Sequence, residues 1–203
     1  MSLIVNSSPA SSIAPIAEGT HLGVCCMLID LGVQFSEAFK NSSRKVLIGW
    51  EIPDETIDLE DGTHNRTITK TYTASLNDKS NLRADLAAWR GRDFTPDELK
   101  QFDLHNIVGT SCLLNVIHKD GRDGKIYANI QSIMALPKGM ARGKLSEPAT
   151  VFDLDADPLD MIDRLPKWIG DRIKDSTTYQ ERAYQPPEVT EMPADDGDGE
   201  LPF

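Results

Sequence analysis

The chain has 203 residues, 39% of them hydrophobic and 26% charged, with a formal net charge of -11. That length suits one globular domain with extensions rather than two full domains, and no run of about eighteen apolar residues marks a bilayer span. Three cysteines without a CxxC spacing argue against a cysteine-built zinc site and read as buried, reduced thiols.

Residues 1–17 are rich in Ser, Ala and Pro and read as a loose arm; MSLIVNSSPASSIAP lacks the basic start and apolar core of a signal peptide, so a cytoplasmic location is expected. From Gly19 onward, HLGVCCMLIDLGVQF combines β-branched residues with interior glycines, which predicts a long, bent first strand. Cys25 and Cys26 are neighbours on that strand, point to opposite faces and do not readily share a metal. KVLIGWEIP, residues 45–53, alternates Val46, Ile48, Trp50 and Ile52 and predicts a second strand that stops at Pro53. An acidic loop, DETIDLEDGTHN, follows. In RTITKTYTASL, Thr67, Thr69, Thr71 and Thr73 share one face while Ile68, Lys70 and Tyr72 share the other, the pattern of a third strand.

The period then changes. SNLRADLAAWRG offers Ser80 as N-cap, Leu82, Leu86 and Trp89 at helical spacing, and Gly91 as a left-handed C-cap. FTPDELKQFDL offers Thr95 as a second N-cap, Pro96 at the first helical position and Glu98 to complete a capping box. Two further strands are predicted at 109–119 and 124–136, joined by the tight turn DGRD and ended by Pro137. Three strands, a helical insert and two strands is the order of the five-stranded OB barrel, in which a helix between strands 3 and 4 plugs the open end.

The expected fold class is therefore mainly β: an OB-fold nucleic-acid-binding barrel over 18–150, an extension with short helices over 151–184 and a disordered acidic tail over 185–203. KGMARGKLSEPATVFDLD reads as a basic loop leading into a short extended segment. PLDMIDRLPKWIGDRIKDS reads as one or two amphipathic helices, whose Trp168, Ile169 and Ile173 would pack on the barrel or on a neighbouring copy, so a homodimer stays open. From Gln185 onward there are six acids and no basic residue, a composition unable to bury enough apolar surface to fold.

FDLDADPLD sets Asp153, Asp155 and Asp157 at alternate positions, like the start of a calcium loop that lacks its glycine and distant glutamate. The histidines at 21, 64, 105 and 118 are scattered, and no glycine-rich phosphate loop occurs. No catalytic set, metal or cofactor is expected; a metal-dependent nuclease built on 153–157 is the enzymatic alternative.

Charge is unevenly spread. Residues 1–150 carry 16 basic and 18 acidic groups and residues 151–203 carry 5 and 14, whereas 62–144 carries 13 basic against 8 acidic. A local basic surplus within an acidic chain points to a nucleic-acid surface masked by an acidic tail. An OB barrel binds single strands around strands 2 and 3, using rings that stack on bases and cations that follow phosphates. Lys45 and Trp50 lie on strand 2, Lys70 and Tyr72 on strand 3, and Tyr127 on strand 5 beside Lys125, Asn129 and Gln131. Trp50 alternates with apolar residues and fits core as well as platform; Tyr72 shares its face with both Ile68 and Lys70; Tyr127 has polar neighbours. In WRGRDF, Trp89 and Phe94 read as packing anchors, Arg90 and Arg92 as phosphate contacts. Lys119, Arg122 and Lys125 form a basic finger or a solvated hairpin tip, and Lys138, Arg142 and Lys144 lie in a loop that suits phosphate contact or a plain linker.

The terminal ADDGDGELPF resembles the acidic tip of bacterial single-stranded DNA-binding proteins. Asp195, Asp196 and Asp198 match the acidic run, Leu201 the hydrophobic position, and Pro202 and Phe203 the last two; Gly197, Gly199 and Glu200 depart from it by diluting the aspartates. The resemblance implies a docking peptide for replication, recombination and repair enzymes. A pocket rimmed by Arg or Lys would bury Phe203, pair its carboxylate and attract Glu200 and the aspartates from a distance. KTYTASL, LAAWRGRDFTPDEL and FDL are similar to small phage-encoded OB proteins of replication and recombination. The expected function is sequence-independent binding and protection of single-stranded DNA, with partner enzymes recruited by the tail, no membrane partner and no catalysis. An OB-fold adaptor without DNA affinity is the other alternative.

Overall fold

The computed structural model describes residues 14–184. The expected docking residues Asp195, Asp196, Asp198, Glu200, Leu201, Pro202 and Phe203 lie outside the described residues. Five antiparallel strands, curled into a half-barrel, run in the order β3-β2-β1-β4-β5. They are β1 Gly19–Ser36, β2 Asn41–Leu59, β3 Gly62–Thr73, β4 Ser111–Asp120 and β5 Ile126–Met134. A short sixth strand, β6 Thr150–Phe152, pairs in parallel with β1 at Met27 to Ile29, beyond the stretch of β1 that pairs with β4.

β1 serves three neighbours because it bends. Its register with β2 slips between Cys25 and Met27 and again between Asp30 and Gly32, and such bulges turn a strand and sharpen its twist. Gly32 sits at φ +69, where a Cβ would meet Ser176 Oγ at 2.6 Å, so both the backbone and the packing require glycine.

The second strand does not stop at Pro53. β2 and β3 form one long hairpin, and the segment expected as an acidic loop is mostly strand. Pairing with β3 skips from Ile52 to Thr56, so the proline falls in a ladder irregularity where its missing N–H breaks no bond. Nor is the arm loose through residue 17. Ile16 is buried, its carbonyl accepts from His118 Nε2 at 2.8 Å, and Arg66 donates to the Ala14 carbonyl at 2.7 Å.

The inner core joins Val46, Ile48, Trp50 and Ile52 of β2 to Ile68 and Tyr72 of β3 and to Leu114, Val116, Ile130 and Ile133. The helical insert closes it. α1, Asn81–Arg90, buries Leu82, Leu86 and Trp89 and lies against both β3 and β5, whose Cα atoms come within 8 Å without ladder bonds. The Trp89 and Trp50 rings are 5.7 Å apart. Ser80 takes the N-cap position, although its hydroxyl donates to the Ser75 carbonyl, and Gly91 ends α1 at φ 67. α2, Pro96–Lys100, carries the expected Thr95–Glu98 capping box.

A second core lies on the outer face of β1 and β2. Ile29, Leu31 and Leu47 pack there against Phe152, Leu154, Ile162, Ile169 and Ile173. These come from β6, a 3₁₀ turn over Leu159–Arg164, and α3, Lys167–Lys174; α4, Thr177–Ala183, follows. The apolar side of the extension thus packs on its own sheet. No helix among the described residues is long and apolar enough to cross a membrane.

Candidate nucleic-acid interface

The outer face of β3 presents the threonine row: Thr67, Thr71 and Thr73 are exposed and Thr69 is partly so. Strand alternation fixes this, since Ile68 and Tyr72 point inward to the core. Beside the row opens a cleft of about 450 Å³ that brings together Lys45, Lys70 and Lys79 with Thr71 and Thr73. Lys45 Nζ donates to Thr73 Oγ1 at 2.8 Å. Arg172 reaches in from α3 and donates to Thr71 Oγ1 at 3.2 Å.

The charges there are incompletely neutralised. Asp85 is taken by Lys70, Asp78 by Arg83 and Asp171 by Lys167. Among the described residues, Lys45, Lys79 and Arg172 have no carboxylate within ion-pair distance. Burial pushes the Arg172 pKa below its ordinary value, as expected of a cation that loses hydration without gaining a counter-charge. Neither Lys79 nor Arg172 carries a local sequence signal, and Arg172 enters through a contact 101 residues away in sequence.

Two of the expected stacking rings are interior. Trp50 is fully buried, because its strand face is the inner core and Trp89 lies against it. Tyr72 is 3% exposed, and its hydroxyl donates to Asp85 Oδ2 at 2.8 Å, the same oxygen that Lys70 Nζ meets at 2.7 Å. Burial, then Asp85, pushes the Tyr72 pKa up. Neither ring is available to a base, and Lys70 is a bound partner of Asp85.

Arg90 and Arg92 are likewise engaged. Arg90 pairs with Glu98 and lies over Phe94 and Phe102, 4.4 and 5.2 Å from their centroids. Arg92 forks onto the same carboxylate at 2.7 and 2.9 Å. Arg92, the Thr95 N–H and Arg90 together hold the Glu98 carboxyl down at about 2. These arginines fasten the insert. Arg90 keeps one loose end: among the described residues its Nη1 is buried without a partner, as is Ser111 Oγ, and both residues line a second cleft that also includes Arg142.

At the β4–β5 hairpin Lys119, Arg122 and Lys125 are all exposed. Tyr127 is 48% exposed, as its polar neighbours imply, with its hydroxyl donating to Asp123 Oδ2 at 2.7 Å. Its ring lies over Gly121, where a Cβ would come within 2.4 Å of it. Lys138, Arg142 and Lys144 are exposed on a loop that is strapped down: Gly143 lies over Leu22 and Val24, and the Ser146 N–H and hydroxyl each donate to Glu51 at 3.0 Å.

The acids that gather are Asp30, Asp153 and Asp155, with oxygens within 4.8 Å of one another, and not the 153, 155, 157 series. Arg44 sits among them, paired with Asp30 and with Asp155 at 2.7 Å, which raises its own pKa. Asp157 instead accepts the Asp153 N–H at 2.8 Å, and Asp153 accepts that of Asp155 at 2.9 Å, so these carboxylates cap a turn. Cys25 and Cys112 are buried, and desolvation pushes the Cys25 thiol up to about 12. No protein-family model matches the chain, and no curated protein matches it.

Proposed function

We propose that the half-barrel is an OB fold and that the chain binds single-stranded DNA without sequence preference, along the β3 cleft. The observation that carries this reading is the cleft itself: in a chain of net charge -11, Lys45 and Lys79 line it with Thr71 and Thr73, Arg172 donates to Thr71 from beside it, and none of the three cations has a carboxylate partner among the described residues. Ammonium, guanidinium and hydroxyl groups in a row match a phosphate backbone and carry no base code. The strand order, the insert between β3 and β4, and the approach of β3 to β5 all support the OB assignment.

A single strand fits better than a duplex. The longest helix among the described residues, α1, has its apolar face in the core, and α3 is pinned to the sheet, so neither is presented to a major groove. Exposed Tyr127 and the exposed Lys119, Arg122 and Lys125 of the β4–β5 hairpin offer a further ring and further cations to the strand. From its sequence, the tail recruits replication or recombination enzymes and competes with DNA for the same cations. No bond-making step is part of the proposal, and Arg44 pairs with two of the three clustered aspartates, Asp30 and Asp155.

A second reading, a protein adaptor without DNA affinity, is favoured by Phe35 and Phe39, 56% and 80% exposed at the β1–β2 turn. A gel-shift titration against single-stranded DNA, duplex and RNA at two salt concentrations separates them. DNA binding predicts a salt-sensitive shift strongest for the single strand; the adaptor predicts none.

A further inference from the structure

We propose that α3 forms one wall of the single-strand site, with Trp168 as a base-stacking platform and Arg172 as a phosphate contact. This rests on the DNA-binding reading above and assigns part of the site to the extension that covers the barrel.

The chain has three tryptophans, and they differ sharply in surroundings. Trp50 is fully buried and Trp89 is 7% exposed, and the two pack on each other, whereas Trp168 is 47% exposed. α3 does not need that ring for anchorage, because Ile169 and Ile173 already hold it to Ile29, Leu31 and Leu47. Trp168 and Arg172 are four residues apart and so lie on the same side of the helix, one turn from each other.

That side faces β3. The Arg172 guanidinium bonds Thr71, and Thr71 lines the cleft shared with Lys45 and Lys79. Trp168 is therefore one helical turn along α3 from the arginine that bonds the threonine row. Rigid anchorage matters here, since a platform held in place loses little freedom when a base stacks on it. The rings expected on β2 and β3 are interior, and Trp168 supplies the missing apolar face.

The distribution of tryptophans makes the test clean. The full chain is titrated with labelled oligo(dT), following anisotropy for binding and intrinsic tryptophan fluorescence for stacking, in wild type, Trp168→Phe, Trp168→Ala and Arg172→Gln. The expected result is quenching in wild type that Trp168→Phe removes while anisotropy still reports binding. Trp168→Ala weakens affinity by about 5- to 100-fold, and Arg172→Gln lowers the salt slope by about 0.7. Quenching that survives in Trp168→Phe, or wild-type affinity in Trp168→Ala, overturns the assignment while leaving DNA binding intact. No anisotropy change in wild type overturns the DNA-binding reading and this inference with it. Trp168→Phe keeps an aromatic ring on a half-exposed position, so its thermal midpoint serves as the folding control.

Discussion

The Tyr72 hydroxyl and the Lys70 ammonium meet on one oxygen of Asp85, at 2.8 and 2.7 Å, on the inward side of the strand whose outer side carries the threonines. β3 is thus two-faced, with a part-buried polar knot on one side and a hydroxyl row on the other. Tyr72→Phe removes one bond of the knot and leaves Asp85 its lysine. It should cost about 1–2 kcal/mol of stability, read by urea denaturation, and change oligo(dT) affinity less than about twofold, because the ring is only 3% exposed.

Glu98 gathers Arg90, Arg92 and the Thr95 N–H, which lowers its carboxyl from 4.5 to about 2. A carboxyl whose folded value is depressed adds stability above its unfolded value and loses it as pH falls through the folded one. The thermal midpoint of wild type should therefore exceed that of Glu98→Gln above pH 4.5, and the difference should close as pH falls toward 2. A pH series of melting curves on the two proteins checks this.

Ile173 is fully buried where α3 meets β1 and β2. Ile173→Ala should destabilise the protein by about 2–4 kcal/mol. Denaturation followed by far-UV circular dichroism should stay a single transition, because the extension and the barrel share Leu47 and Ile29 and lose structure together.

Much of this was legible in the sequence where the signal was local. The threonine alternation placed β3, the Leu82, Leu86, Trp89 spacing placed α1, and the Thr95–Glu98 box placed α2. Long-range effects were not legible. Pro53 read as a stop because only the pairing with β3 reveals a bulge there. Leu47 breaks the simple in-out pattern of β2, and buried neighbours on both faces signal a covering layer. Trp50 and Tyr72 were ambiguous because alternation defines a face without saying which side is solvent. Arg172 joins the cleft only through the fold of the extension, and Arg90 and Arg92 were diverted from the surface by a carboxylate on the next helix.

Residues 186–203 carry six acids and no basic group, so a chain ended at Gln185 loses six negative charges that, on the proposed function, compete with DNA for the cleft. Truncation should tighten oligo(dT) binding at low salt, with the difference shrinking as salt rises. Anisotropy titrations of the two chains at two salt concentrations measure it. Capture of replication or recombination enzymes by the immobilised protein should be lost in the shorter chain.

The most direct measurement is oligo(dT) affinity, by anisotropy across a salt series, for wild type and for Lys45→Glu/Lys79→Glu. Both lysines lie on the surface of the β3 cleft without a carboxylate partner among the described residues, so the reversal should leave the fold intact. Wild type should bind in a salt-sensitive way, and the double variant at least about tenfold more weakly with a shallower salt slope. Equal affinity in the two proteins, or no binding by wild type, would contradict DNA binding at the cleft.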